Sequence, residues 1–286
     1  MNYFKDKITI VTGGASGMGR AICEQMGQLG ATLVVTDIDY DGAIKVADSI
    51  NAGGGKAVAA KLDVTQQEEV ENIINETARE HGRLDLIFNN AGVSILGDER
   101  DKTLEHWKKI VNINLFGVIY GTKAAYALMV KQGFGHIVNM SSMGGYIPSP
   151  TDVAYGTTKF AVLGLSKSLR VEGEALGVKV SAICPGMIRT PIIYNTPMLN
   201  VSDTPPTREE IDENIPAFIF YDVNKAGKAI LKGVARNKEM IIFPFHARFA
   251  WWMSRLFPAI FRVIGRLQVK GFRKMRLGDP ENPDTQ

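Results

Sequence analysis

Short apolar segments alternate with longer amphipathic segments along most of the 286-residue chain. Short runs rich in Val, Ile and Leu are typical of strands buried on both faces of a parallel sheet, and the longer segments repeat their apolar residues with helical periodicity. The pattern predicts seven strands near residues 8–11, 32–36, 57–62, 84–89, 136–140, 178–184 and 240–243. It predicts helices near residues 18–29, 40–52, 66–81, 102–132, 153–176 and 222–236.

This alternation predicts an α/β fold with a single Rossmann-like, doubly wound parallel sheet and helices on both faces. The domain would span residues 1–243, because the last predicted strand ends there. Within it, residues 189–221 hold several prolines among apolar residues. That composition favours a lid over a binding site, and an ordered surface insertion is the alternative.

A different pattern follows in residues 244–276, which carry eight Lys and Arg and no acidic residue. Phe257-Pro258 should end or divide a helix there, because proline cannot continue one. We expect a basic, aromatic-rich helical extension. It would lie on an anionic membrane surface, pack on another subunit or cover the substrate pocket. Its apolar stripe would contain Phe249, Trp252, Leu256, Ile260, Val263 and Leu267, and residues 277–286 would form a disordered polar tail.

Composition narrows the class of protein. Hydrophobic residues make up 45% of the chain, enough for one large core, and the net charge is only +3. Cys23 and Cys184 fall in a predicted helix and strand, which indicates unpaired core residues in a reducing compartment. The four histidines lack metal-ligand spacing, and no run of about 20 apolar residues suggests a membrane span. We therefore expect no metal site, no nucleic-acid partner and a cytoplasmic location.

The first candidate for chemistry is the pair Tyr155 and Lys159. Four residues make about one helical turn, so the phenol and the ammonium would share a helix face. A phenol is a poor base at neutral pH, and a neighbouring cation should lower its pKa. By itself this spacing is common, and two unrelated surface residues are the alternative.

The second candidate is the glycine-rich loop that follows the first strand. Gly13, Gly17 and Gly19 lie between that strand and a helix, an arrangement that places a pyrophosphate on free N–H groups at the helix N-terminus. The spacing is Thr-Gly-x-x-x-Gly-x-Gly, which differs from the general Gly-x-Gly-x-x-Gly fingerprint. An ordinary glycine-rich connection is the alternative.

Taken together, these motifs resemble those of the short-chain dehydrogenase/reductase family over about residues 5–245. Further family landmarks occur in the same order: Asp63-Val64, Asn89-Asn90-Ala91-Gly92, Asn114, Ser142 thirteen residues before Tyr155, and Pro185-Gly186 with Thr190. The resemblance implies that Tyr155 is a general acid/base, that Lys159 assists it, that Ser142 binds the substrate oxygen and that Asn114 holds a water. Ser141 competes with Ser142, which the family spacing favours.

The resemblance also implies a nicotinamide dinucleotide site, built from Gly13, Ser16, Gly17, Met18, Gly19, Asp63, Val64, Asn90, Ala91, Gly92, Tyr155, Lys159, Pro185, Gly186, Ile188 and Thr190. Asp37 ends the second strand, where a carboxylate would bind ribose hydroxyls and repel a 2′-phosphate. We therefore expect NAD in preference to NADP. A simple turn residue is the alternative for Asp37.

These observations predict an NAD-dependent oxidoreductase that acts on a secondary alcohol or ketone, with an apolar, sterol-like or lipid-like substrate suggested by the lid. The alternatives are a nucleotide-binding scaffold and a membrane-recruited interaction protein with little turnover. Family members commonly form homodimers or homotetramers through the two long helices. Here apolar positions such as Val162, Leu165 and Leu169 would permit that contact.

Overall fold

All seven predicted strands pair in parallel in one sheet, in the order β3-β2-β1-β4-β5-β6-β7. The computed structural model describes residues 3–201, 207–214 and 219–278. The strands are β1 Ile8–Thr12, β2 Thr32–Asp37, β3 Lys56–Lys61, β4 Leu86–Asn89, β5 Gly135–Met140, β6 Val178–Pro185 and β7 Met240–Phe243. This confirms the predicted α/β fold, with strand ends shifted by one or two residues.

Helices cover the sheet and continue beyond its last strand. They are α1 Gly17–Gln28, α2 Tyr40–Ala52, α3 Gln67–His81, α4 Leu104–Val111, α5 Gly117–Gln132, α6 Val153–Glu174, α7 Pro191–Asn195, α8 Arg208–Asn214, α9 Val223–Ala235, α10 Phe245–Leu256 and α11 Pro258–Met275. The short helices α7 and α8 lie in the predicted lid. The rest of that segment is described up to residue 201 and from residue 219, whereas residues 202–206 and 215–218 lie outside the described residues.

Neighbouring residues of each strand bury their side chains on opposite faces of the sheet. Val11 and Phe88 belong to a cluster that includes residues of α1 and α9, whereas Ile10 and Ile87 belong to a second cluster with residues of α3 and α5. Each fully buried aliphatic side chain contributes on the order of 1.5–3 kcal/mol of transfer free energy. The near-continuous apolar strands of the sequence are therefore explained by burial on both faces.

The strand order reverses direction between β1 and β4, which are neighbours at the centre of the sheet. Strands β2 and β3 follow on one side of β1, whereas β5, β6 and β7 follow on the opposite side of β4. The loops leaving β1 and β4 therefore diverge and open a crevice at the carboxyl ends of these strands.

The helix predicted over 102–132 is α4 and α5 joined by a π-helical turn at Asn112–Phe116. Contrary to the expectation from sequence, Leu104–Gln132 is long and apolar enough to cross a membrane by length and composition. In this structure it belongs to the α/β domain, because α5 packs on α3 and β5, and α4 packs on α6.

The C-terminal extension consists of two helices, and the break between them falls at Phe257-Pro258 as the sequence predicts. The second helix, α11, is tied to the domain by ion pairs from Arg273 to Asp98 and from Arg276 to Asp101, at 2.8 and 2.7 Å. Residues 279–286 of the predicted tail lie outside the described residues.

Candidate functional site

Side chains would not fit at Gly13, in the loop between β1 and α1, or at Gly19, in the first turn of α1. Gly13 has a φ of +65°, and a Cβ there would lie 2.9 Å from the Cα of Ala91. A Cβ on Gly19 would overlap the carbonyl oxygen of Gly13. The loop can therefore pass close to the end of β4 and present its backbone to a ligand.

Hydrogen bonds fix this loop to the residues that follow β4. The side-chain amide of Asn90 donates to the carbonyl oxygens of Thr12 and Gly13, at 2.9 and 3.1 Å. In return, the Thr12 hydroxyl accepts from the backbone N–H groups of Asn90 and Ala91. The two sides of the central crevice are thus held in one geometry.

Above the crevice lies a cavity of about 260 Å³. It contains most of the predicted nucleotide-binding residues: Gly13, Ser16, Gly17, Met18, Asp37, Asp63, Val64, Asn90, Ala91, Gly92 and Thr190. Gly19 does not line it and instead lies beneath the loop, against Gly13. The Asp37 carboxylate lines this cavity and accepts a hydrogen bond of 3.0 Å from the N–H of Ala15.

A second cavity, of about 340 Å³, continues from the first. Met18, Asn90, Gly92, Thr190 and Ile192 line both. The second cavity also contains Ser142, Tyr155, Lys159, Pro185, Gly186 and Ile188. The structure therefore places the expected dinucleotide site and three of the four predicted catalytic residues in one continuous space, whereas Asn114 lines neither cavity.

Lys159 is almost completely removed from water, with 2% of its surface exposed. Its ammonium donates a hydrogen bond of 3.0 Å to the carbonyl oxygen of Met140, at the end of β5. It lies 5.2 Å from the ring centroid of Tyr155. Burial lowers the pKa of Lys159 to about 8, and the negative charge of Asp152 partly opposes this shift.

The pKa of Tyr155 does not fall below its ordinary value, contrary to the expectation from sequence. Burial raises the pKa of Tyr155 to about 12, and a hydrogen bond with Ser142 only partly offsets that effect. Transfer from water disfavours the phenolate more than its neighbours favour it, while Lys159 loses part of its own charge for the same reason. The phenol therefore keeps its proton at neutral pH.

The structure distinguishes the two candidate serines. The hydroxyl of Ser141 is buried and donates to the backbone carbonyl of Lys159, at 2.8 Å, so it holds α6 against the end of β5. The hydroxyl of Ser142 lies beside Tyr155, where it also accepts from the N–H of Gly144. Of the two hydroxyls, that of Ser142 is the one beside Tyr155.

Asn114 lies in the π-helical turn between α4 and α5 and is fully buried. Its side chain accepts from the N–H of Val93 and donates to the carbonyl of the same residue, both at 2.8 Å. A Cβ on Gly92 would lie 3.3 Å from the Asn114 oxygen and 3.5 Å from the Lys159 nitrogen. Asn114 therefore fixes the strand-ending loop beside Lys159.

Sequence reasoning missed a second polar group in the same cavity. Asp152 is buried there, accepts from the hydroxyl of Ser94 at 2.5 Å and lies 3.7 Å from the Lys102 ammonium. Burial raises the pKa of Asp152 to about 6, against the effects of Ser94 and Lys102. The only sequence signal was the position of Asp152, three residues before Tyr155.

Apolar residues of the predicted lid close one side of the cavity. Backbone hydrogen bonds between Leu96 and the segment 197–199 tie the lid to the loop after β4. The lid residues that line the cavity are Thr190, Ile192, Ile193, Thr196, Met198 and Ile211. The space next to Tyr155 is therefore bounded mainly by aliphatic side chains.

Comparisons with known proteins agree with this geometry. A family model described as short chain dehydrogenase matches residues 7–197. The Mycobacterium tuberculosis protein named probable oxidoreductase EphD is 35% identical over 272 residues, which cover 93% of this chain and 46% of EphD. The chain thus spans about half the length of that relative.

Two further likenesses cover more of the compared proteins. The 2,5-dichloro-2,5-cyclohexadiene-1,4-diol dehydrogenase LinX of Sphingobium indicum is 36% identical over 196 residues, or 68% of this chain and 78% of LinX. A solved short chain dehydrogenase/reductase of Burkholderia phymatum in complex with NAD has a TM-score of 0.74 at 24% identity. The superposition covers 96% of this chain and 97% of the Burkholderia phymatum chain, which shows that the two proteins share a fold.

Replacing Gly19 by Ala should abolish the tight loop, because the new methyl group would overlap the Gly13 carbonyl. Overpacking of this kind costs about 1–3 kcal/mol, so NADH binding measured by fluorescence should weaken about tenfold or more. Gly164→Ala is the matched control, since a Cβ at that helical position meets nothing within 4 Å. Equal NADH affinity of the Gly19→Ala variant and the control would contradict this account of the loop.

Proposed function

The chain belongs to the short-chain dehydrogenase/reductase family, and from that premise we propose that it transfers hydride between NAD and a secondary alcohol or the matching ketone. It is an oxidoreductase, and solved structures similar to it include one in complex with NAD and one with bound NADP. One observation carries the finer proposal: Ser142, Tyr155 and Lys159 line a cavity that continues into the expected dinucleotide site. The bound nicotinamide would supply or accept the hydride.

In the proposed reaction, the residues of this chain handle the proton and the charge on oxygen. During ketone reduction, Tyr155 donates its phenolic proton to the carbonyl oxygen while the hydride reaches the carbonyl carbon. Ser142 donates a hydrogen bond to the same oxygen and stabilises the negative charge that develops there. In alcohol oxidation the proton moves in the opposite direction, from the hydroxyl to the phenolate.

Lys159 and Asn114 would act on Tyr155 and on the path by which it regains a proton. Lys159, when charged, opposes the cost of forming a buried phenolate and would also reach the nicotinamide ribose hydroxyls. Asn114 would hold a water that links Lys159 to solvent, as in the family pattern. Four polar groups in these positions argue against a nucleotide-binding scaffold without turnover, because such a scaffold needs no buried ammonium.

NAD is the proposed nucleotide because of Asp37. This carboxylate lines the nucleotide cavity at the end of β2 and is fixed by the N–H of Ala15. It would accept hydrogen bonds from ribose hydroxyls, and its charge would repel a 2′-phosphate at that position. The residue that follows in the same cavity, Ile38, offers no positive charge to such a phosphate.

The proposed substrate is apolar, either sterol-like or lipid-like, and carries a secondary alcohol or ketone. The aliphatic lid residues support an apolar substrate, since they would lose contact with water when it binds. LinX, whose name describes a dehydrogenase for a cyclic diol, supports a secondary alcohol. Asp152 and Ser94 add one polar position on the cavity wall for a second oxygen atom of the substrate.

We also propose a cytoplasmic homodimer or homotetramer formed through α4, α5 and α6. These helices and the π-helical turn between α4 and α5 expose Leu104, Phe116, Phe160 and Val171, which a second copy would cover. Val162 is not part of this surface, contrary to expectation, because it is fully buried within the subunit. A monomeric molar mass by light scattering would contradict the assembly.

Replacing Tyr155 by Phe should lower kcat by about 100- to 10 000-fold, because the proton donor is lost. NADH binding should remain, since the phenol hydroxyl is at the substrate end of the site. The matched control is Tyr120→Phe, on α5 and outside both cavities. Turnover by Tyr155→Phe equal to that of the control would remove Tyr155 from the mechanism.

The two directions of the reaction should depend differently on pH. Because burial raises the pKa of Tyr155 to about 12, the phenol is protonated at neutral pH and ready for reduction, whereas oxidation requires the rare phenolate. Between about pH 6 and 8, kcat/KM for the alcohol should rise with pH, while kcat/KM for the ketone should not. Alcohol oxidation independent of pH over this interval is the opposing result.

Replacing Asp37 by Ser should raise the kcat/KM ratio of NADP to NAD about tenfold or more, because it removes a negative charge beside the 2′ position. The control is Asp41→Ser, in the first turn of α2 and outside both cavities. Steady-state kinetics with both nucleotides measures the ratio. A wild-type chain that uses NADP as efficiently as NAD would refute the proposed preference.

A further inference from the structure

The two helices of the C-terminal extension turn their apolar stripe toward water. In most globular proteins the apolar face of an amphipathic helix packs against the core. Here α10 and α11 do the reverse, with exposed fractions of 41–66% along the predicted stripe: Phe249 58%, Trp252 58%, Leu256 63%, Ile260 41%, Val263 55% and Leu267 66%. Phe245 and Phe257 extend the exposed stripe at the start of α10 and at the turn between the helices.

The opposite side of α11 is already occupied by the domain. Phe272 is buried, and the ion pairs of Arg273 and Arg276 hold the end of the helix on the loop after β4. The Gln268 side chain donates to the carbonyl of Pro150. These contacts fix the rotation of α11, so its apolar stripe cannot turn inward without breaking them.

Positive charge flanks the exposed stripe. On α11, Arg262, Arg266 and Lys270 recur at four-residue spacing, next to the apolar residues on the helix surface. On α10, Arg248 and Arg255 also lie next to apolar residues of the stripe. Residues 244–278 contain no acidic residue, so nothing on the extension neutralises these cations.

A basic groove adjoins α10. It has a volume of about 680 Å³ and lies between α9, β7 and α10, with Trp251 and Trp252 on its wall. No carboxylate is among its lining residues, whereas six cations are: Lys225, Lys228, Lys232, Arg236, Lys238 and Arg248. Such a groove suits the anionic headgroups of lipids whose chains meet the neighbouring stripe.

We propose that α10 and α11 dock the protein on the surface of an anionic lipid bilayer. The apolar stripe would enter the boundary between headgroups and acyl chains, and the flanking arginines and lysines would contact the headgroups. A second copy of the chain fits less well, because two-fold pairing of this face brings like charges together without an acidic residue between them. This inference does not depend on the proposed redox activity.

Flotation of the full chain with two kinds of vesicle tests the proposal. The vesicles are phosphatidylcholine alone and phosphatidylcholine with about 30% phosphatidylglycerol. We expect flotation with the anionic vesicles, reduced by high salt, and little with phosphatidylcholine alone. The double substitution Trp252→Ser and Leu267→Ser should lower the partition coefficient about tenfold or more, because two exposed apolar side chains no longer enter the lipid.

The matched control removes two exposed apolar side chains elsewhere, by Val58→Ser and Leu176→Ser, and should float like the wild type. Unchanged melting temperature and NADH binding would show that both double variants fold. The proposal is overturned if the wild type does not float, or if the two double variants float equally. It is also overturned if only Trp252→Ser with Leu267→Ser lowers the molar mass in solution, because the face would then bind a second copy.

Discussion

Burial of the Lys159 ammonium beside the partly buried Tyr155 is the constraint on which the site depends. Lys159 is a fully buried ammonium with one backbone acceptor, the carbonyl of Met140, and it lies beside the ring of Tyr155. Burial lowers the pKa of Lys159 to about 8 and raises the pKa of Tyr155 to about 12. Both shifts disfavour the charged forms. Tyr155 therefore keeps its proton, and Lys159 holds its proton less tightly than a lysine in water.

The rest of the fold serves to hold this pair at the end of the sheet. Ser141 fixes the turn of α6 that carries Lys159, and Asn114 fixes the loop after β4 on its other side. The hydrogen bonds between Thr12 and Asn90 keep the nucleotide cavity continuous with the second cavity, which contains Lys159 and Tyr155. A crevice created by the sheet order thus brings together residues from loops far apart in the sequence.

The strands, the helices and the family motifs could be predicted because each depends on local sequence. Periodicity identified the strands, and proline chemistry identified the break at Phe257-Pro258. The sign of the pKa shift at Tyr155 could not be predicted, since it depends on burial by distant parts of the chain. The group formed by Ser94, Lys102 and Asp152 was missed for the same reason: its members are up to 58 residues apart. The stripe on α10 and α11 was predicted, but its outward direction required the fold.

The pKa of Tyr155 itself is the most direct test of this account. Carbon-13 NMR of protein labelled at the tyrosine ring carbon, with Tyr155→Phe used to assign the resonance, would follow its ionisation. The account predicts that this resonance does not titrate below about pH 10.5, because the desolvated phenol keeps its proton. A Tyr155 resonance that titrates at or below the ordinary tyrosine pKa of about 10 would contradict the account.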